Sequence, residues 1–109
     1  MKFLSTRGQS EPVTFSEAVE EGLAPDGGLY LPEELPDISP FLNDWEPLSY
    51  PDLTNAFLRL FATDLAPSVV TACVNDSYRQ FSHADVAPLK RLGDKVFTLE
   101  LFHGPTLAF

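Results

Sequence analysis

Leu53, Ala56, Phe57, Leu60 and Phe61 recur at the three- and four-residue spacing of one helical face, which predicts a helix. Ser49 followed by Asp52 supplies a capping pattern at its start. A second helix is expected from Asp64 and Pro67 onward, with Val70, Cys73, Val74, Tyr78 and Phe81 on one approximate stripe. The loop between the two is short, so they should pack antiparallel. Upstream, Thr14 and Glu17 form a capping box for a short early helix. Gly22 suits its left-handed C-terminal cap, and Leu23 is placed to close over the last turn.

Strand signals are brief. Phe3-Leu4-Ser5 is one, ended by Arg7-Gly8, and Leu29-Tyr30-Leu31 is another, entered through the turn Ala24-Pro25-Asp26-Gly27-Gly28. Val86-Ala87-Pro88-Leu89 and the run Val96 to Leu101 predict a hairpin reversing at Gly93-Asp94, with Pro88 confining the first strand to an edge. Pro32, Pro36, Pro40, Pro47 and Pro51 leave room only for a helical turn, around Phe41 to Asp44, in a connector pinned to the core by Trp45. The fold class is therefore α+β: two antiparallel helices, a short early helix and a few short strands.

A chain of 109 residues with 44% hydrophobic and 21% charged side chains is one ordinary globular domain. A domain this small buries a limited share of its surface, so it is expected to lean on something larger. The formal charge of −9 disfavours nucleic acid and anionic membranes as partners. Cys73, the single cysteine, precludes an internal disulfide, and the polar residues after Met1 to Leu4 are unlike a signal peptide. A cytoplasmic protein is the expectation.

Candidate chemistry is sparse. Cys73, placed on an apolar stripe, is read as a small core residue. His83 follows the second long helix, where it could settle the last carbonyls or take part in chemistry. His83 and His103 are the only histidines and make a poor metal site, so none is expected. Glu20-Glu21 and Glu33-Glu34 are sequence neighbours that do not point together. Gly27-Gly28 is a single turn rather than a phosphate cradle. The run Leu99-Glu100-Leu101-Phe102-His103-Gly104-Pro105-Thr106-Leu107-Ala108-Phe109 differs in kind: a strand reaches a Gly-Pro turn, and Thr106 has the chemistry of a helix N-cap. His103 and Thr106 are the candidates for contact with a substrate or with the groups around it; a turn residue and a plain cap are the alternatives.

That last run resembles the segment of threonine synthases in which the next residues are Lys-Asp. Ser5-Thr6-Arg7-Gly8, the stretch Gly22 to Pro32, Leu48-Ser49-Tyr50 and Val86-Ala87-Pro88-Leu89 match in order. The resemblance implies an N-terminal domain, residues 1–95, packed on a fold-type II pyridoxal-phosphate core that begins at 96–109. It implies conversion of O-phospho-L-homoserine and water to L-threonine and phosphate, with pyridoxal 5′-phosphate (PLP) on that lysine. If Thr106 caps a helix, the lysine would sit in its first turn, where the positive end of the dipole disfavours an ammonium ion. The lysines here are Lys2, Lys90 and Lys95, and none follows Phe109. The chain is thus expected to be cut before the cofactor lysine, to bind no cofactor by itself and to be inactive alone. Its partner is then the remainder of the enzyme. A non-catalytic acidic module, or the same module on a threonine-synthase-like lyase with another substrate, are the competing expectations.

Overall fold

A computed structural model describes residues 1–106. Strand β1, Phe3–Ser5, pairs antiparallel with β2, Tyr30–Pro32, in the register Phe3 to Pro32, Leu4 to Leu31 and Ser5 to Tyr30. On its other edge Phe3 exchanges both backbone hydrogen bonds with Val13, at 2.9 and 3.0 Å. The alternation of a strand follows: Phe3 and Ser5 are buried and Leu4 between them is exposed.

Helix α1, Phe15–Glu21, starts where the capping box predicts. The Thr14 amide donates to Glu17 Oε2 at 2.7 Å, and the Glu17 amide donates back to Thr14 Oγ1 at 3.4 Å. Gly22 ends it with φ at 72°. Leu23 does not close the cap as expected. Its amide turns back to the Glu21 carbonyl at 2.9 Å, leading the chain away into the following turn, and its side chain is exposed.

The proline-rich connector holds a 3-10 turn, Ser39–Phe41, running into α2, Leu42–Trp45. Trp45 stacks on Phe41 at 5.3 Å and meets the edge of Phe57 at 6.3 Å, which ties the connector to the long helices. Those are α3, Tyr50–Phe61, and α4, Pro67–Tyr78. Ser49 caps α3 by accepting from the Asp52 amide at 3.3 Å. The pair is antiparallel. Tyr50, the first residue of α3, meets Tyr78, the last of α4, ring to ring at 5.5 Å, and midway Thr71 donates to Asn55 Oδ1 at 3.1 Å. Ala62, Val70 and Val74 form the buried centre, with Phe15, Leu58, Leu65 and Tyr78 around it.

Three expectations change here. Cys73 is exposed, because the stripe facing α3 is Val70, Val74 and Tyr78 at four-residue spacing, and Cys73 lies one step off it. Phe81 lies past the end of α4, packed on Tyr78 at 5.0 Å. Asp64 does not start α4, whose N-cap is Ala66 with no side-chain hydrogen bond. Its carboxylate instead serves α1, accepting from the Ser16 amide at 3.0 Å and from the Ser16 hydroxyl. The hydroxyl bond above all holds its pKa below the usual aspartate value.

Strands β3, Leu89–Gly93, and β4, Val96–Leu99, form the expected hairpin with shifted limits. Val86 is buried in a left-handed conformation, φ 61°, so β3 begins only at Leu89. Gly93 belongs to the strand, opposite Val96, after an irregularity between Arg91 and Gly93. The reversal runs through Asp94 and Lys95, with Lys95 at φ 63°. Arg91 braces it by donating to Asp94 Oδ1 at 2.6 Å and to the Gly93 carbonyl at 3.0 Å. β4 stops at Leu99 rather than Leu101, although the Glu100 amide still donates to the Pro88 carbonyl at 3.0 Å.

Since Asp64 satisfies an orphan donor of α1 from 48 residues away, Asp64→Ala is expected to lower stability by about 1 kcal/mol, as loss of an N-cap does. Asp64→Asn, which keeps an acceptor, should lose less. Urea denaturation midpoints of the two variants check the order.

Candidate functional site

Two places gather the residues singled out in the sequence. The first joins the segment Ser5 to Gly8 to the glycine turn. The Asp26 carboxylate accepts from the Ser5 hydroxyl at 2.6 Å and the Gly28 amide at 2.8 Å through Oδ1, and from the Gln9 amide at 3.0 Å through Oδ2. Arg7 Nη1 donates to the Asp26 carbonyl at 3.0 Å, and the Asp26 amide donates to Ser10 Oγ at 3.3 Å. The join is completed by the Thr6 amide, which donates to the Leu29 carbonyl at 2.9 Å, and by the Leu29 amide, which donates to the Thr6 hydroxyl at 3.0 Å.

These donors, led by the Ser5 hydroxyl, pull the Asp26 pKa from 3.8 down to about 2. The amides of Gly28 and Gln9 point at an anion, and that anion is the protein's own carboxylate. Those two amides are thus already occupied from within the chain. Gly27 needs its left-handed φ of 78°, whereas Gly28 is required by space: a Cβ there would lie 2.1 Å from Ser5 Oγ. Beside the turn, a cleft of about 500 Å³ is lined in part by Asp26, Glu21 and Tyr30. Tyr30 donates to Glu21 Oε2 at 2.5 Å, which raises its pKa to about 12.

The second place surrounds His103. Its Nε2 lies 2.9 Å from Glu100 Oε2, and both side chains are largely shielded from solvent. Its carbonyl accepts from the Ser82 amide at 2.9 Å, while the Ser82 hydroxyl lies 3.4 Å from Nδ1. The His83 ring stands 4.9 Å from the His103 ring. Lys90 Nζ reaches the other Glu100 oxygen at 3.9 Å, and a Cβ on Gly104 would touch Phe81 at 3.4 Å. The segment 100–104 is thus clamped against the residues that follow α4. One ring nitrogen thus faces a shielded carboxylate and the other the Ser82 hydroxyl.

His83 does not cap α4. Its Nδ1 accepts from the Asp85 amide at 3.1 Å, so it shapes its own turn. Thr106 is exposed, and the helix expected to follow it lies on 107–109, outside the described residues. Sequence reasoning missed Glu100 and Ser82. The Glu-x-x-His spacing was a usable sign for the first, but Ser82 is 21 residues from His103 and becomes its neighbour only by folding. Among the described residues no group of three or more His, Cys, Asp or Glu is arranged to hold a metal ion. Nor is any helix there long and apolar enough to cross a membrane.

Comparison with known proteins points one way. The family described as Threonine synthase N terminus matches residues 2–78. The chain is similar to threonine synthase of Pseudomonas aeruginosa, 41% identical over all of this chain and 24% of that protein. It is also similar to human threonine synthase-like 2, 40% identical over all of this chain and 23% of that one. A crystal structure of PLP-bound threonine synthase from Brucella melitensis superposes with a TM-score of 0.92 at 40% identity, covering all of this chain and 24% of its own. The chain therefore spans about a quarter of the length of the relatives it matches.

The depressed Asp26 pKa carries a pH dependence with a definite sign. The stability it contributes is fully present above 3.8 and is lost as pH falls toward about 2. Thermal melts across that window should show a steeper loss in the native chain than in Asp26→Asn. Gly28→Ala should lower the melting temperature at every pH, because the clash with Ser5 does not titrate.

Proposed function

The chain belongs to the threonine synthase family, whose N-terminal part it represents, and we propose that the complete protein converts O-phospho-L-homoserine and water to L-threonine and phosphate with PLP. The observation that carries this reading is the agreement of the whole chain, at 40% identity and a TM-score of 0.92, with a threonine synthase described as PLP-bound. In this reading the enzyme works in the cytoplasm.

The described residues by themselves do not fit the cofactor. An aldehyde cofactor needs a free amine, and near His103 the available lysine, Lys90, is paired with Glu100. Its phosphate needs several converging amides, and at the glycine turn the Gly28 amide and the neighbouring Gln9 amide are taken by Asp26 and the Gly27 amide by the Ala24 carbonyl. Cofactor and most substrate contacts accordingly belong to the rest of the polypeptide. Residues 1–95 then act as the N-terminal domain, and 96–109 lead into the catalytic part through the β3–β4 hairpin. His103 and Thr106 contact the substrate or the groups around it, and Glu100 sets the His103 ring.

A second reading has one observation in its favour: identity to human threonine synthase-like 2 is 40%, against 41% to the Pseudomonas aeruginosa enzyme. Such a protein would share the domain and the cofactor but take another substrate. An assay of phosphate release from O-phospho-L-homoserine by the full-length protein with PLP decides between them. Release is expected, with none from the 109-residue chain alone, and His103→Ala should lower kcat/KM at least about tenfold through misplacement of the bound substrate. No release from the full-length, PLP-loaded protein would overturn the first reading.

A further inference from the structure

The β3–β4 hairpin is amphipathic and exposed along its length. Register and alternation put Leu89, Arg91, Phe97 and Leu99 on one face, and Lys90, Val96 and Thr98 on the other. The second face is suited to water and carries the Lys90–Glu100 ion pair at 3.9 Å. The first holds three large apolar side chains at 64%, 52% and 54% exposure, for Leu89, Phe97 and Leu99, and Leu101 and Phe102 continue the apolar surface along the chain. A two-stranded hairpin is marginal in water without a layer on its apolar side. Its turn also carries the cost of a left-handed lysine.

From this we infer that the Leu89, Phe97 and Leu99 face is a docking surface, and that its occupant is the remaining polypeptide of the full-length threonine synthase. The inference rests on the reading above. Two observations select this occupant over a second copy of the chain. The relatives are about four times as long as the matched part, so most of their polypeptide lies outside it. A tethered segment also reaches the hairpin at millimolar effective concentration, on the order of that for short linkers, whereas two copies carrying −9 each repel one another. The hairpin then becomes part of a larger sheet or sheet-helix layer, and the clamp at Glu100 and His103 fixes the angle at which the chain leaves it.

Amide hydrogen exchange, measured without substrate or cofactor, tests this in two forms: the 109-residue chain and a full-length protein that carries it. Hairpin amides should exchange about tenfold or more slowly in the full-length protein than in the short chain. There, Phe97→Glu or Leu99→Glu should remove most of that protection, while Thr98→Glu, on the opposite face, should not. Equal protection in the two unmutated forms, a comparison that needs no variant to fold, would sink the proposal. So would a concentration-dependent dimer of the short chain, seen by sedimentation and abolished by Phe97→Glu, because the face would then belong to a second copy. Exchange and phosphate release are independent readouts: a protected hairpin in a protein that releases no phosphate would refute the functional reading and leave the docking surface standing.

Discussion

The Asp26 carboxylate is the point on which the N-terminal half turns. A chain with strands of three residues has too few ladder hydrogen bonds to hold them, and β1 with β2 is such a pair. Asp26 makes up the deficit by binding two segments at once, through the Ser5 hydroxyl on one side and the Gly28 amide on the other. Charge-assisted bonds of this kind are stronger than neutral ones. The same interaction explains why an aspartate followed by two glycines stands in that turn. The first glycine supplies the left-handed bend and the second leaves room for Ser5.

Acidic side chains do similar work elsewhere. Asp64 accepts from a first-turn amide of α1, and Asp52, in the first turn of α3, accepts from the hydroxyl of the capping Ser49, both at helix ends where the dipole favours a negative group. Part of the strong acidity is thereby structural. The buried centre itself is small, with alanine and valine at its heart and aromatic rings around it. Leucines, valines and phenylalanines therefore remain on the outside, among them Leu89, Val96, Phe97 and Leu99 of the hairpin.

Local features were legible from the sequence. The Thr14 and Glu17 box, the Ser49 cap with Asp52 and the Gly22 terminus each involve residues within a few positions of one another, so propensity and spacing identify them. The motifs of the resemblance were equally plain, and the fold is the one they imply. What failed was partner choice. Asp64 stands beside α4 in sequence yet caps α1 in space, and Cys73 has helical spacing yet misses the helix it would have to face. Val86 and Lys95 adopt left-handed angles that neither residue prefers, so nothing local marked where β3 begins or where the hairpin turns.

For the candidate site, sequence marked His103 and Thr106, while the arrangement around His103 belongs to the fold. Ser82 comes from the end of the helical pair and Glu100 from the end of the hairpin, and only the packing of one against the other surrounds the ring. By itself, then, the sequence determined the main elements, the caps that open α1 and α3, and the family, because those depend on contacts across a few residues or on motif identity. The tertiary structure alone decided which carboxylate meets which helix, that the Asp26 carboxylate is held by Ser5 and Gln9, and which apolar face is left uncovered. Those are properties of groups distant in sequence, and they arise only when packing sets their separations to a few ångströms.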